Sequence, residues 1–140
     1  MSAPEIENQL IEDFSLFDSW DDKYEYIIEL GKKLPPLDEK HKTIENKIKG
    51  CQSSVWLVSN FKDGLVFFEA DSDSVIVKGL VSLLIKVLSG QSPDTIINAD
   101  LEFMNKIGLM QHLAITRSNG LLAMVKQMKF YAMAYQLKKS

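Results

Sequence analysis

Apolar residues recur along the first third of the chain at helical spacing. Ile6, Leu10, Phe14 and Phe17 follow one another at intervals of four, four and three, so they share one face while Glu5, Glu12 and Asp13 turn away from it. Pro4 suits the first turn of such a helix, where its missing N–H costs nothing. A second helix starts after Ser19, an N-cap with Asp22 at the third helical position, and its stripe is Trp20, Tyr24, Ile27, Ile28 and Gly31. Pro35 and Pro36 end it. Residues 37–43 are polar and form a loop; residues 44–50 alternate weakly and are expected to be a short strand. Residues 55–61 are β-branched and aromatic, Asp63-Gly64 signals a hairpin turn, and residues 65–70 supply the returning strand.

Helical periodicity resumes after the hairpin. Asp71, Ser72, Asp73 and Ser74 offer successive N-caps for a helix through Leu88, which Ser89-Gly90 stops. Ser74, Lys78, Ser82 and Lys86 form its one polar stripe, so the rest of the helix must be enclosed. Pro93 and Asp94 open a short helix, residues 100–107 form another, and residues 108–116 are a connection that contains His112. The last helix begins at Arg117 or Ser118, with Leu121, Val125, Met128, Ala132 and Tyr135 on one face. The expected fold is one α+β domain spanning residues 1–140, a small three-stranded antiparallel sheet packed against helices.

Composition narrows the function. At 140 residues and 46% hydrophobic, the chain can bury a core without disulfides or metal. A formal charge of −3 argues against nucleic acid as a partner, since phosphate binding needs a basic surface. The N-terminal residues 1–7 are acidic where a secretory leader needs positive charge, and no apolar run approaches the roughly 20 residues of a membrane span. A cytoplasmic protein is expected. One cysteine with His41 and His112 is a poor ligand supply for structural zinc, so no metal or other cofactor is expected on the chain.

The lone cysteine, Cys51, stands in the run Gly50-Cys51-Gln52-Ser53-Ser54-Val55-Trp56, where a polar turn gives way to a strand. A thiol reacts as thiolate, and Lys47, Lys49 and the turn amides beside Gly50 could lower its pKa. The competing reading is a buried cysteine acting as a small hydrophobe. If Cys51 were the nucleophile of a thiol hydrolase or acyl-transfer enzyme it would need a base, and His112 is the natural candidate should its connection fold back. The alternative for His112 is a ring that caps a carbonyl in the connection. Arg117, the only arginine, sits at a helix start where the dipole disfavours a cation. It is either an anion or partner-carboxylate contact, or an exposed arginine or one ion-paired with a nearby Asp.

The whole pattern resembles the SufE family of sulfur acceptors. The resemblance rests on residues 50–56 (GCQSSVW), supported by residues 20–34 (WDDKYEYIIELGKKL), residues 71–80 (DSDSVIVKGL), Gln111-His112-Leu113 and Arg117-Ser118-Asn119-Gly120-Leu121. Ser54 and Thr116 stand at positions that vary in the family. The resemblance implies a fold akin to the scaffold protein IscU. It implies that Cys51 takes sulfane sulfur from a pyridoxal-phosphate-dependent, SufS-like cysteine desulfurase, stimulates that enzyme, carries a persulfide and passes it to a SufBCD-like iron–sulfur scaffold without turnover of its own. Gly50, Gln52, Asp73, His112 and Arg117 are then supporting or partner-contacting residues. A single thiol suits a carrier, because a second nearby would resolve the persulfide into a disulfide. Whether the free chain is a monomer or a homodimer stays open.

Overall fold

Serine caps and an apolar stripe explain the first two helices. The computed structural model describes residues 1–139. Helix α1 (Ala3–Ser15) begins at Ser2, whose hydroxyl accepts from the Glu5 N–H while the Glu5 carboxylate reaches back to the Ser2 N–H, a reciprocal cap. Helix α2 (Trp20–Lys32) begins at Ser19, which accepts from the Asp22 N–H as the sequence predicts. Leu10, Phe14 and Ile27 from these helices are completely or almost completely buried.

Strands β1 (Val55–Lys62) and β2 (Leu65–Ser72) form the antiparallel hairpin, in a register that pairs Val55 with Ser72 and Lys62 with Leu65. Asp63 and Gly64 both take positive φ, at 54° and 80°, the paired left-handed geometry that a two-residue hairpin turn demands. The predicted third strand is a correction. Residues 44–50 touch β1 through one isolated bridge, Lys47 to Trp56, so the sheet has two strands. Ile44 is 87% exposed, Ile48 alone of the segment's apolar residues is buried, and Gly50 turns left-handed. One buried side chain does not hold a segment flat along a strand.

Helix α3 (Val75–Leu88) starts on Ser74, which caps the Val77 N–H, and buries Leu80, Val81, Leu83 and Leu84. Of its expected polar stripe only Lys86 is exposed: Ser74 and Lys78 are partly buried, and Ser82 is buried and donates to the Gly79 carbonyl, 2.6 Å away. Against α2 the packing is backbone to backbone. A Cβ on Gly79 would lie 2.2 Å from the Ile27 carbonyl oxygen, and one on Gly31 would lie 2.7 Å from the Gly79 nitrogen.

Helix α4 (Pro93–Asn98) follows its Ser92 cap. The helix expected over residues 100–107 is shorter, α5 (Phe103–Ile107), because Leu101 adopts a positive φ of 55° while its side chain is buried. Inside the expected connection lies a further turn of helix, α6 (Leu109–His112). Helix α7 (Ile115–Lys139) starts two or three residues earlier than expected and seats Leu121, Met124, Met128 and Ala132 in the core. Among the described residues no helix is long and apolar enough to cross a membrane.

Candidate functional site

Two glycines bring the cysteine to the last helix. Gly50 takes a φ of +90°, open to residues without a side chain, and turns the chain into Cys51. A Cβ there would contact the Ala123 methyl of α7 at 3.4 Å. Gly120, on the same helix, presents bare backbone to the thiol, and its carbonyl lies 3.5 Å from Cys51 Sγ. Cys51 is half-buried at one wall of a cavity of about 290 Å³, shared with Gln52, Ser53, Val77, Arg117 and Met124. Arg117 is the only charged group in that lining. It is exposed, and among the described residues its side chain makes no ion pair or hydrogen bond.

Burial pushes the Cys51 thiol above its ordinary pKa, opposite to the direction anticipated from its upstream neighbours. Lys47 and Lys49 are exposed and leave that effect unopposed. At rest the sulfur is therefore a protonated thiol against a carbonyl acceptor, and it must lose its proton as it reacts.

The end of β2 holds both arms of the cysteine loop. Beyond Cys51, the Ser54 N–H donates to Asp73 Oδ1 at 3.0 Å, the Ser72 hydroxyl donates to the Ser54 carbonyl at 2.7 Å, and the Asp73 N–H donates to the same carbonyl at 3.3 Å. Before it, Lys42 reaches Asp71 Oδ2 at 3.2 Å and lies over the Trp56 ring, while Lys78 approaches Asp71 Oδ1 at 3.4 Å. Burial opposes ionisation of Asp71, yet the Ser72 N–H, Lys42 and Lys78 together hold its carboxyl below the usual carboxylate value. The sequence marks Asp71 only as one of four capping candidates and the first residue of a block, and Gly120 only as part of another block. Neither residue type signals a role until the strand end and the helix meet the loop.

His112 does not join the thiol. Its ring stacks on Trp20 at 4.1 Å between centroids, its Nδ1 lies 2.9 Å from the Gly108 carbonyl, and its own carbonyl accepts from the Tyr24 hydroxyl at 2.6 Å. It pins α6 onto α2, and it is not in the cavity lining. The lining contains no histidine or carboxylate, so the base that a cysteine hydrolase needs is missing from this geometry. Gln52 lines the cavity and is exposed; His41 lies in a 3-10 turn, residues 39–41, and is not in the lining.

A larger cavity, about 630 Å³, lies between α1, α4 and α5. It is edged by Glu7, Asp94, Asp100, Glu102 and Lys106 and has no thiol or histidine in its lining. Burial first and Asp100 second raise the Glu7 carboxyl, with Lys106 opposing them. No group of three or more potential metal ligands is gathered anywhere among the described residues. Size favours this cavity, but chemistry favours the one that holds the thiol.

Comparison with known proteins agrees on one family. The family model described as "SufE: Fe-S metabolism associated domain" matches residues 8–132. An uncharacterised SufE-like protein of Rhizobium meliloti is 44% identical over 127 residues, covering 87% of this chain and 91% of the relative. A second, from Rhizobium etli, is 45% identical over 127 residues, 87% of this chain and 86% of its own. The solution structure of a hypothetical protein from Thermus thermophilus has the same fold, with a TM-score of 0.78 over 96% of this chain and 97% of that one, at 20% identity.

Proposed function

This chain belongs to the SufE family, and on that premise we propose that it accepts sulfur on Cys51 from a cysteine desulfurase, stimulates that enzyme and passes the sulfur to an iron–sulfur cluster scaffold. The family assigns the chain to iron–sulfur metabolism. The observation that carries the finer reading is the seat of Cys51: a lone thiol, half-buried, opening into a cavity with a single cation and no general base. Such a site suits transfer from a partner better than turnover alone.

In the loading step the Cys51 thiolate attacks the terminal sulfur of the donor's persulfide. A sulfur–sulfur bond forms at Cys51 as the donor's own breaks, and the donor cysteine departs as thiolate carrying the electron pair. The Cys51 proton passes to the donor or to water. No external oxidant is consumed, because the sulfane sulfur arrives already oxidised. Arg117 meets the negative charge of the resulting persulfide, an assignment supported by its place in the cavity lining and by the absence of an ion pair or hydrogen bond to its side chain among the described residues. Asp73 and Gly50 set the loop, and Gln52 edges the entrance. Val77 and Met124 limit water around the carried sulfur.

Intact-mass measurement tests this directly. Incubation with the cognate desulfurase and free cysteine should add one sulfur to the wild-type chain, removable by reductant, and none to Cys51→Ala. A wild-type chain that gains no sulfur from its own partner overturns the reading.

A further inference from the structure

The Cys51 cavity is larger, and richer in hydrogen-bond donors, than one carried sulfur requires. Its volume of about 290 Å³ is roughly ten times the ~30 Å³ share of a water molecule, and a persulfide adds a single atom of that order. Ligand pockets begin near ~300 Å³, so the space beside the thiol suits a molecule of amino-acid size. The lining is of two kinds. Val77, Ala114 and Met124 are apolar, and Val77 and Met124 are buried. Gln52, Ser53, Thr116 and Arg117 are polar, and among the described residues none of these four side chains makes a hydrogen bond or ion pair.

Charge selects the class of ligand. The backbone N–H groups of Gln52 and Ser53 have no acceptor among the described residues. Thr116 and Arg117 belong to the first turn of α7, whose backbone bonds begin only with the Ser118 N–H on the Ala114 carbonyl, so the positive end of the helix adds to the Arg117 charge. No carboxylate stands in the lining to offset either. The complement of such a surface is an anion, and a guanidinium with its forked donors matches a carboxylate best. A bare inorganic anion would leave Val77, Ala114 and Met124 unmatched and the thiol unused. A small organic persulfide with a carboxylate meets the cation, the apolar residues and the sulfur at once.

We propose that the cavity binds low-molecular-weight, carboxylate-bearing persulfides of about the size of cysteine, and that Cys51 is loaded from them without a partner protein. This rests on the reading of Cys51 as a sulfur acceptor and adds a second class of donor to it. Arg117 holds the donor's carboxylate while the Cys51 thiolate attacks the terminal sulfur. A sulfur–sulfur bond forms at Cys51, the donor's own sulfur–sulfur bond breaks, and the small thiol departs as thiolate with the electron pair. The Cys51 proton passes to that thiolate or to water. No oxidant is consumed, because the transferred sulfur is already at the sulfane level. Once the small thiol has left, Arg117 is free to meet the persulfide on Cys51.

The first arm of the test omits the desulfurase. The full chain is mixed with cysteine persulfide or with cysteinamide persulfide, which differs only in carrying an amide for the carboxylate, and sulfur uptake is followed by intact mass. Uptake from cysteine persulfide should saturate with donor concentration and, at low concentration, run about tenfold faster than uptake from the amide. In denaturant, where the cavity is lost, that preference should vanish. Arg117→Gln alters an exposed side chain and should keep the fold by circular dichroism while bringing the native ratio close to one. Equal uptake of the two donors by the native wild-type chain, or a preference that persists in Arg117→Gln, overturns the proposal. The second arm measures loading by the cognate desulfurase. Normal desulfurase loading with no preference between the small donors overturns the small-molecule site and leaves the acceptor role intact. A preference for cysteine persulfide without desulfurase loading supports the site and removes the protein donor, and a chain that takes sulfur from neither source removes both.

Discussion

Two glycine contacts organise this protein, and they differ in how much room they leave. Where α2 crosses α3, a Cβ on Gly79 would stand 2.2 Å from the Ile27 carbonyl oxygen, an impossible distance, so the two backbones touch and nothing else fits. Where the cysteine loop meets α7, a Cβ on Gly120 would stand 3.5 Å from Cys51 Sγ, an ordinary van der Waals separation. The first contact is surrounded by fully buried Ile27, Leu80 and Leu83; the second faces a cavity of about 290 Å³. One junction has a single solution, as close-packed interiors do. The other is held by a few hydrogen bonds to Ser54 at the strand end and by a weak thiol contact. The proposed carrier role would use this difference: a fixed frame, and a thiol with space beside it for one more sulfur atom.

The largest effect should come from filling the tight junction. Gly79→Ala forces the helices apart or displaces the Ile27 backbone, and a loss of about 3 kcal/mol is expected in urea unfolding. An unchanged midpoint would mean that α2 and α3 slide freely, and the contrast between the two contacts would collapse. The same substitution at Gly120 should have a small effect of the opposite sign. Alanine is favoured over glycine in a helix interior by about 0.5–1 kcal/mol, and the new methyl meets Cys51 without overlap, so the unfolding midpoint should hold or rise. Sulfur loading of Gly120→Ala should fall all the same, because the methyl takes space beside the thiol. A strong loss of stability would show that the loop is packed as tightly as the core.

The pH dependence of Cys51 sharpens the same point with a smaller signal. Burial raises the thiol's folded-state pKa, so the native state binds this proton more tightly than the unfolded chain does. Its contribution to stability is present at neutral pH and is lost as pH rises through the ordinary thiol value toward the folded one. Iodoacetamide alkylation of the native protein should therefore reach half its plateau rate at higher pH than alkylation in denaturant. A native midpoint at or below the denatured one would mean that Lys47, Lys49 and the turn amides govern the sulfur after all.

Local patterns made much of this legible before any coordinates. The Ser19 cap and the Asp63-Gly64 turn depend on neighbours within a few residues and match the sequence expectation, and of the four caps offered before α3 the helix uses Ser74. Residues 44–50 failed because weak alternation carries no information about whether a sheet edge will hold the segment. The last helix was read by its inward face alone; Leu122, Phe130, Met133 and Leu137 are apolar as well, and only burial separates the two sets.

The sequence alone determined which residue is the one thiol of the chain, and it determined the family, since the motif blocks fall in order along the chain. Tertiary structure decided the rest of the site. It put Arg117 in the Cys51 cavity and His112 on Trp20, and it gave the loop's two arms to Asp71, Ser72 and Asp73. The physical reason is one of range. Caps, turns and motifs are set by residues a few positions apart, whereas His112 and Arg117 stand five residues apart, and only the packing of α6 on α2 and of α7 on the cysteine loop sends one away from the thiol and the other to it.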